Sequence, residues 1–216
     1  GVFKLDVFTS IKKHIQKYFD HPRLRQIMEF PVLFLGALPE DTPALYSLMN
    51  YADIKGGTWY PEGGMYSVVQ GMYKLALELG VNFHFDEEVK EIVIENGIAK
   101  KVVTNKNEYE SVTVISGADY HFTETKLLSS RYQSYSTNYW DKRVMAPSCL
   151  MYYVGLNKRL KNIQHHSLFF DVPFEEHGKE IYKKPQWPTD PLFYTSIASA
   201  TDPSVAPEGC ENIVFL

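Results

Sequence analysis

The chain has 216 residues, 44% of them apolar and 22% charged, and a formal net charge of −4. This is ordinary globular usage with length enough for a buried core, and the lack of any Lys/Arg block excludes the electrostatic footprint of a nucleic-acid binder. Cys149 and Cys210 fit neither a metal spacing nor a disulfide framework, so a reducing cytoplasm is the simplest setting, and no apolar run reaches the ~20 residues a spanning helix needs.

Residues 1–55 read as mostly helical. Phe8, Ile11, Ile15, Tyr18 and Phe19 fall at helical spacing. Asp20-His21-Pro22 breaks that helix and starts another, with Leu24, Ile27 and Met28 on one face. Pro31 to Gly36 is a short apolar segment that fits no single type. Thr42-Pro43 forms an N-cap and first-turn pair, predicting a helix with Leu45, Leu48, Met49 and Ala52 inward.

A Gly/Pro turn at 56–64 follows, with free amide N–H groups expected where it opens onto a helix. That helix has Met65, Val68, Val69, Met72, Leu75, Ala76 and Leu79 on one stripe and stops at Gly80. The period then changes. Val81, Phe83 and Phe85 alternate as in a half-buried strand, Val89–Ile94 suggests a second, and Asn96-Gly97 is a hairpin signal before a return strand at 98–104. With a further strand at 109–115, residues 81–116 read as an antiparallel meander.

Residues 120–130 suggest a short helix, and 131–143 a polar surface loop. Strands are predicted near 149–156, 167–170, 192–198 and 212–216, with a helix from Pro173 to Tyr182. The chain opens on Gly1 and stops inside the strand-like Ile213–Leu216, so an internal piece of a longer protein is expected.

Few residues point to chemistry by themselves. Adjacent His165 and His166 would face opposite sides of a strand, which favours a structural or pocket-lining role over metal binding. Glu87-Glu88 reads as solvated rather than as an acid/base pair. Ser67 and Ser148 lack a nucleophile-elbow context, and no G-x-G-x-x-G fingerprint occurs. Gly63-Gly64 at a helix start suits an electron-rich ligand, although a plain tight turn feeding a core helix is the favoured local reading. The residues themselves define an α+β piece with an aromatic-rich remainder.

Several stretches in register resemble the bacterial and fungal carotenoid (phytoene) desaturases of the flavin-dependent amine-oxidase-like superfamily. They are Gly57-Thr58-Trp59-Tyr60-Pro61-Glu62-Gly63-Gly64-Met65 with the helix after it, Val89-Lys90-Glu91-Ile92, Gly117-Ala118-Asp119, Tyr153-Val154-Gly155-Leu156-Asn157 with His165-His166 downstream, and Thr201-Asp202-Pro203 through Cys210. Asp20-His21-Pro22-Arg23-Leu24-Arg25 adds a sixth. Thr58 stands where the family usually has Val, and Gly117 where it has Asn.

The resemblance implies the middle of a two-domain flavoprotein. It divides the chain into 1–55, the helical part of a substrate domain; 56–125, a helix plus inserted β-meander of the FAD-binding domain; and 126–216, the sheet part of the substrate domain. It implies FAD contacts at Gly63, Gly64, Val89 and Asp119, and substrate-pocket walls at Trp59, Tyr60 and Met65. It marks no catalytic residue and no metal site. The implied reaction removes two hydrogens from a C–C single bond of a polyene such as phytoene, as a hydride to flavin N5 and a proton to a base or water. The isolated piece is not expected to retain FAD. The longer protein is expected at a membrane surface, with Leu33, Phe34 and Leu35 as a candidate patch against a plain core role. A polyene isomerase or saturase on the same scaffold, or a non-enzymatic lipid-binding module, are the alternatives. A Gly-rich strand–turn–helix upstream of Gly1 would separate the last from the others.

Overall fold

The computed structural model describes Asp6 and residues 8–216, so Gly1–Leu5 and Val7 of the expected helical segment lie outside the described residues. The chain forms two compact units. One joins the described part of Gly1–Lys74 to Ala146–Leu216, and the other is Leu75–Met145. Compactness thus changes over at 74/75 and 145/146, whereas the resemblance divides the chain at 55/56 and 125/126.

Helix α1 (Ile11–Gln16) starts at Ser10, whose side chain accepts from the Lys13 N–H, and α2 (Pro22–Glu29) starts at His21 with Pro22 in the first turn. Ile11 and Ile15 of α1 are buried with Val32, and Phe19 and Met28 pack around them. Burying such side chains contributes roughly 1.5–3 kcal/mol each. The ambiguous apolar stretch is a 3₁₀ segment, Phe30–Leu35, ended by Gly36 in the left-handed region. Pro31 and Val32 turn inward, while Phe34 and Leu35 remain 61% and 43% exposed.

The next helix differs from expectation. It begins as a 3₁₀ turn (Ala44–Ser47), continues as α3 (Leu48–Tyr51) and ends in a π turn (Ala52–Gly56). Thr42 does not cap it; its buried hydroxyl donates to the Leu38 carbonyl at 2.9 Å. Leu45 and Leu48 face outward, and Ala44 and Asn50 are buried, with Asn50 donating to the Met28 carbonyl. A start with three residues per turn rotates the pattern away from the 3.6-residue stripe.

Helix α4 (Met65–Glu78) forms where predicted, but none of its residues is buried. The alternating run 81–85 joins neither sheet. Three of the four expected meander strands form: β1 (Val89–Glu95), β2 (Ile98–Thr104) and β3 (Glu108–Glu110), all antiparallel. Asn96 and Gly97 take φ 51° and 78°, as a two-residue hairpin turn requires. β3 stops early, leaving Val112 and Ile115 exposed.

Glu87 corrects the solvated reading. Its side chain is 9% exposed and accepts hydrogen bonds from Thr104, Asn107 and Tyr109, because the β2–β3 connection folds these donors over it. Those bonds, Thr104's first, hold its carboxyl below the usual range. Glu88 remains exposed, paired with Lys90.

The expected loop at 131–143 contains α6 (Thr137–Asp141), preceded by α5 (Tyr120–Phe122) and a π turn over Thr123–Leu127. Tyr120 and Tyr135 meet the Trp140 ring edge-on at 5.6 Å each, which gives this short helix its packing. Ile92 of β1 and Leu127 are buried in the same unit.

The chain then forms β4 (Tyr152–Leu156), β5 (His166–Phe169), α7 (Phe174–Tyr182), β6 (Phe193–Ser196) and β7 (Glu211–Phe215). The four strands make one antiparallel sheet in the order β4-β7-β6-β5. Helix α7 returns to the N-terminal helices. A Cβ at Gly178 would lie 2.5 Å from Leu38 Cδ2, so any other residue there would push the buried Leu38 side chain aside. Lys12 pairs with Glu175, Lys183 with Asp41, and the Tyr182 hydroxyl donates to the Leu33 carbonyl.

Candidate functional site

The Gly/Pro turn and the loop after β6 face each other within one unit. In the turn, Gly63 and Gly64 take φ 80° and 88°, and the Gly64 N–H donates to the Pro61 carbonyl. The Gly63 N–H donates to Asp202 Oδ2 at 2.7 Å. The amides expected to be free are therefore engaged, Gly63's by a residue 139 positions away and Gly64's within the turn itself. A Cβ at Gly64 would lie 3.2 Å from Val205 Cγ1, so this glycine also permits close packing.

The opposing loop is fixed from both sides. Asp202 caps a 3₁₀ turn, Pro203–Val205, by accepting from the Ser204 N–H and hydroxyl. These bonds and the one from Gly63 hold its carboxyl below the usual range. Behind it, Ser199 is tied to the first two residues of β7. Its hydroxyl donates to Glu211 at 2.5 Å, its N–H donates to Asn212 Oδ1, and its oxygen accepts the Asn212 N–H. Glu211 also accepts from Arg159 and the Leu160 N–H.

Between turn and loop lies an open cleft of about 470 Å³, lined by residues 58–62, His165, His166 and residues 201–203. Trp59 is 88% exposed, and its indole N–H donates to the Gly56 carbonyl, which orients the ring. Tyr60 meets the His165 ring edge-on at 4.6 Å.

The two histidines do not face apart. His165 precedes β5, so strand alternation does not govern the pair, and their rings stack at 4.2 Å. His165 Nδ1 lies 2.7 Å from the Thr201 hydroxyl, and His166 Nδ1 lies 2.5 Å from the Tyr194 hydroxyl. Burial lowers the pKa of both imidazoles, and His166 lowers that of His165 further. Both are thereby biased toward the neutral form near pH 7. Among the described residues no group of three His, Cys, Asp or Glu is placed to hold a metal ion.

Of the residues singled out by resemblance, Trp59 and Tyr60 line the cleft, and Gly63 and Gly64 complete the same turn. Met65 opens α4 and is 60% exposed. Val89 and Asp119 belong to the other unit. Val89 pairs with Thr104 beside an irregularity in the ladder, and Asp119 caps α5 by accepting from the Phe122 N–H at 2.9 Å. Sequence reasoning assigned no role to Asp202, Thr201, Arg159 or Glu211. An Asp-Pro pair signals a cap, and could have singled out Asp202. The Arg159–Glu211 contact spans 52 positions and has no local signature.

The flavin containing amine oxidoreductase family matches residues 8–149, and the chain belongs to that family. Two curated relatives narrow the neighbourhood. A carotenoid 3,4-desaturase of Haloarcula japonica is 37% identical over 98% of this chain and 43% of its own length. A phytoene desaturase of Fusarium fujikuroi is 32% identical over 100% of this chain and 38% of its own length. The chain thus spans about two fifths of the curated relatives it matches. In fold it resembles a crystal structure of an oxidoreductase from Methanosarcina mazei, with a TM-score of 0.58, 16% identity, and coverage of 96% of this chain and 46% of that one.

Proposed function

We propose that this chain is the central part of an FAD-dependent carotenoid desaturase that dehydrogenates C–C single bonds of a long polyene such as phytoene. The observation that carries the reading is the Trp59/Tyr60-walled cleft, held open by the Gly63–Asp202 hydrogen bond, in a chain of this family. Aromatic side chains lining an open cleft suit a flat conjugated chain. In this reading residues 1–55 and 126–216 serve the substrate, 56–125 serves the flavin, and Met65 extends the apolar wall beyond Trp59 and Tyr60.

The fit to FAD is uneven among the four residues. Gly63 fits well: it is exposed, and a Cβ there would come no nearer than 3.8 Å to Ser67, so its backbone is open to a flat ring. Val89 offers backbone at an irregular point of the ladder. Gly64 and Asp119 are engaged within the chain, and their role is to fix the turn and the start of α5. FAD, when bound, supplies the hydride acceptor. This chain's part is to align the polyene and keep the reacting carbons dry.

No described helix is long and apolar enough to cross a membrane. Access to a polyene dissolved in lipid is instead proposed through the exposed Phe34 and Leu35, with Leu24 and Ile27 standing 46% and 52% exposed on α2. The test uses a full-length protein carrying this chain, incubated with phytoene in liposomes. Products absorbing at longer wavelength are expected, and Phe34→Asp with Leu35→Asp should reduce liposome binding while flavin stays bound. Unchanged phytoene beside conversion of a different polyene would overturn the substrate, and undiminished liposome binding would overturn the patch.

A further inference from the structure

Taking two hydrogens from a C–C bond as a hydride and a proton requires a group that receives the proton. Among the side chains lining the cleft, Glu62, Asp202, His165 and His166 are the candidates. Asp202 is occupied: it accepts from the Gly63 N–H and from Ser204, and these donors make it a weak base. His165 is closed, with Nδ1 against the Thr201 hydroxyl and Nε2 buried away from any partner. His166 differs on both counts. It is exposed, its Nδ1 lies 2.5 Å from the Tyr194 hydroxyl, and no described residue hydrogen-bonds to its Nε2.

The ring is held firmly. Tyr194 of β6 fixes Nδ1, and the His165 ring stacks on His166 at 4.2 Å. His166 itself pairs with Ser196 in the β5–β6 ladder, so its backbone sits on a strand rather than a loop. With the Nδ1 proton donated to the Tyr194 oxygen, Nε2 keeps its lone pair. Burial lowers the imidazole pKa from 6.5, which leaves the ring neutral and able to accept at pH 7. A base that titrates near the working pH serves better than one that titrates near 4, the ordinary carboxylate range.

We propose that His166 Nε2 receives the proton in the dehydrogenation, with Tyr194 as its positioning residue. The inference rests on the desaturase reading above and names the base that this reading leaves open. As hydride leaves one carbon of the bond for oxidised flavin, the C–H bond of the neighbouring carbon breaks. Its electron pair becomes the second bond of the new C=C, and the proton bonds to Nε2. The imidazolium then returns the proton to water. The ionisable groups around the ring are His165, Tyr194 and, elsewhere in the cleft lining, Tyr60, Glu62 and Asp202, which leaves Glu62 as the rival base.

The experiment mixes the full-length flavoprotein anaerobically with phytoene in liposomes and follows flavin bleaching in a single turnover. His166→Gln is expected to slow bleaching about 100-fold, the lower end of what a general base contributes. Polyene affinity, read by quenching of protein fluorescence, should stay within about twofold. In the unaltered protein the rate should be level near neutral pH and fall in acid below 6.5, and His166→Gln should remove that fall. Tyr194→Phe, which frees Nδ1, should cost about tenfold and leave affinity unchanged. Nitrogen-15 NMR of histidine-labelled protein gives a readout apart from turnover: neutral His166 should carry its proton on Nδ1. A proton on Nε2, an undiminished rate in His166→Gln, or a rate loss matched by an equal loss of affinity would overturn the assignment. Loss of the acid fall in Glu62→Gln but not in His166→Gln would transfer the role to Glu62. If phytoene binds neither the unaltered protein nor bleaches its flavin, the desaturase reading itself is rejected, and the role of His166 with it.

Discussion

Glu29 and Glu211 are both buried, 6% and 3% exposed, yet they are held in opposite ways. Glu211 opens β7 and receives donors from Ser199, Leu160 and Arg159, which keep its carboxyl ionised below the usual range, Ser199 contributing most. Glu29 closes α2, where the helix dipole disfavours negative charge. Of its favourable neighbours Lys12 and Arg25, Lys12 is already engaged by Glu175 and Glu40, and desolvation pushes the Glu29 carboxyl up to about 7. Burial alone therefore does not fix the charge of a carboxylate: desolvation raises its pKa unless donors offset it. The one with donors anchors the loop that forms the cleft, and the one without sits among the helices.

The sharpest way to break the contrast is Glu211→Ala. It removes the acceptor of the Ser199 hydroxyl and the Leu160 N–H and leaves Arg159 only the Ser199 carbonyl, and a loss of about 3 kcal/mol, or roughly 8 °C in Tm, is expected. Its folded pKa is depressed, so its contribution is present above the unfolded pKa near 4.5 and fades as pH falls through the folded value. Thermal melts of the variant and the unaltered protein should converge in acid. A constant gap down to low pH would show that Glu211 acts by packing alone.

Glu29→Gln should act in the reverse sense and by less. A raised folded pKa means the carboxyl is harmless below about 4.5, while stability falls as pH rises from there through about 7. The substitution is expected to add about 2 kcal/mol at pH 8, near 5 °C in Tm, and almost nothing at pH 4. An identical pH slope with and without Glu29 would sink the assignment.

The contrast also shows what could be read in advance. Local signals were legible: the Asn96-Gly97 hairpin, Pro22 and Pro173 at helix starts, and all four strands of the second sheet to within a few residues at their ends. The turn holding Trp59 and Tyr60 was also legible, both from its glycines and from its resemblance to carotenoid desaturases. What did not show were pairings set by long-range folding. Glu29 and Glu211 look alike in sequence, and His165-His166 looked like a strand pair until Thr201 and Tyr194 were placed against them. Periodicity was misread where a 3₁₀ turn shifted the helical register at Ala44–Ser47, and where the 81–85 alternation joined no sheet.

Asp202 tests whether the comparison extends to the cleft itself, with the smallest expected effect on stability. Its carboxylate accepts from both Gly63 and Ser204, so it shares the donor-rich character of Glu211 but is only half-buried. Asp202→Ala should lower Tm by only a few degrees, because the 3₁₀ cap is short and water can replace part of what is lost. Asp202→Asn keeps an acceptor for one of the two N–H groups and should lose less. The depressed pKa places the contribution above about pH 4, fading as pH falls through the folded value. The larger consequence is expected at the turn: released from Asp202, the Gly63 N–H exchanges with solvent, which hydrogen–deuterium exchange of residues 60–66 reads directly. Faster exchange there, with exchange in β6 and β7 unchanged, would show that Asp202 holds the cleft and Glu211 holds the sheet behind it. Unchanged exchange at Gly63 would leave the turn supported by its own glycine geometry.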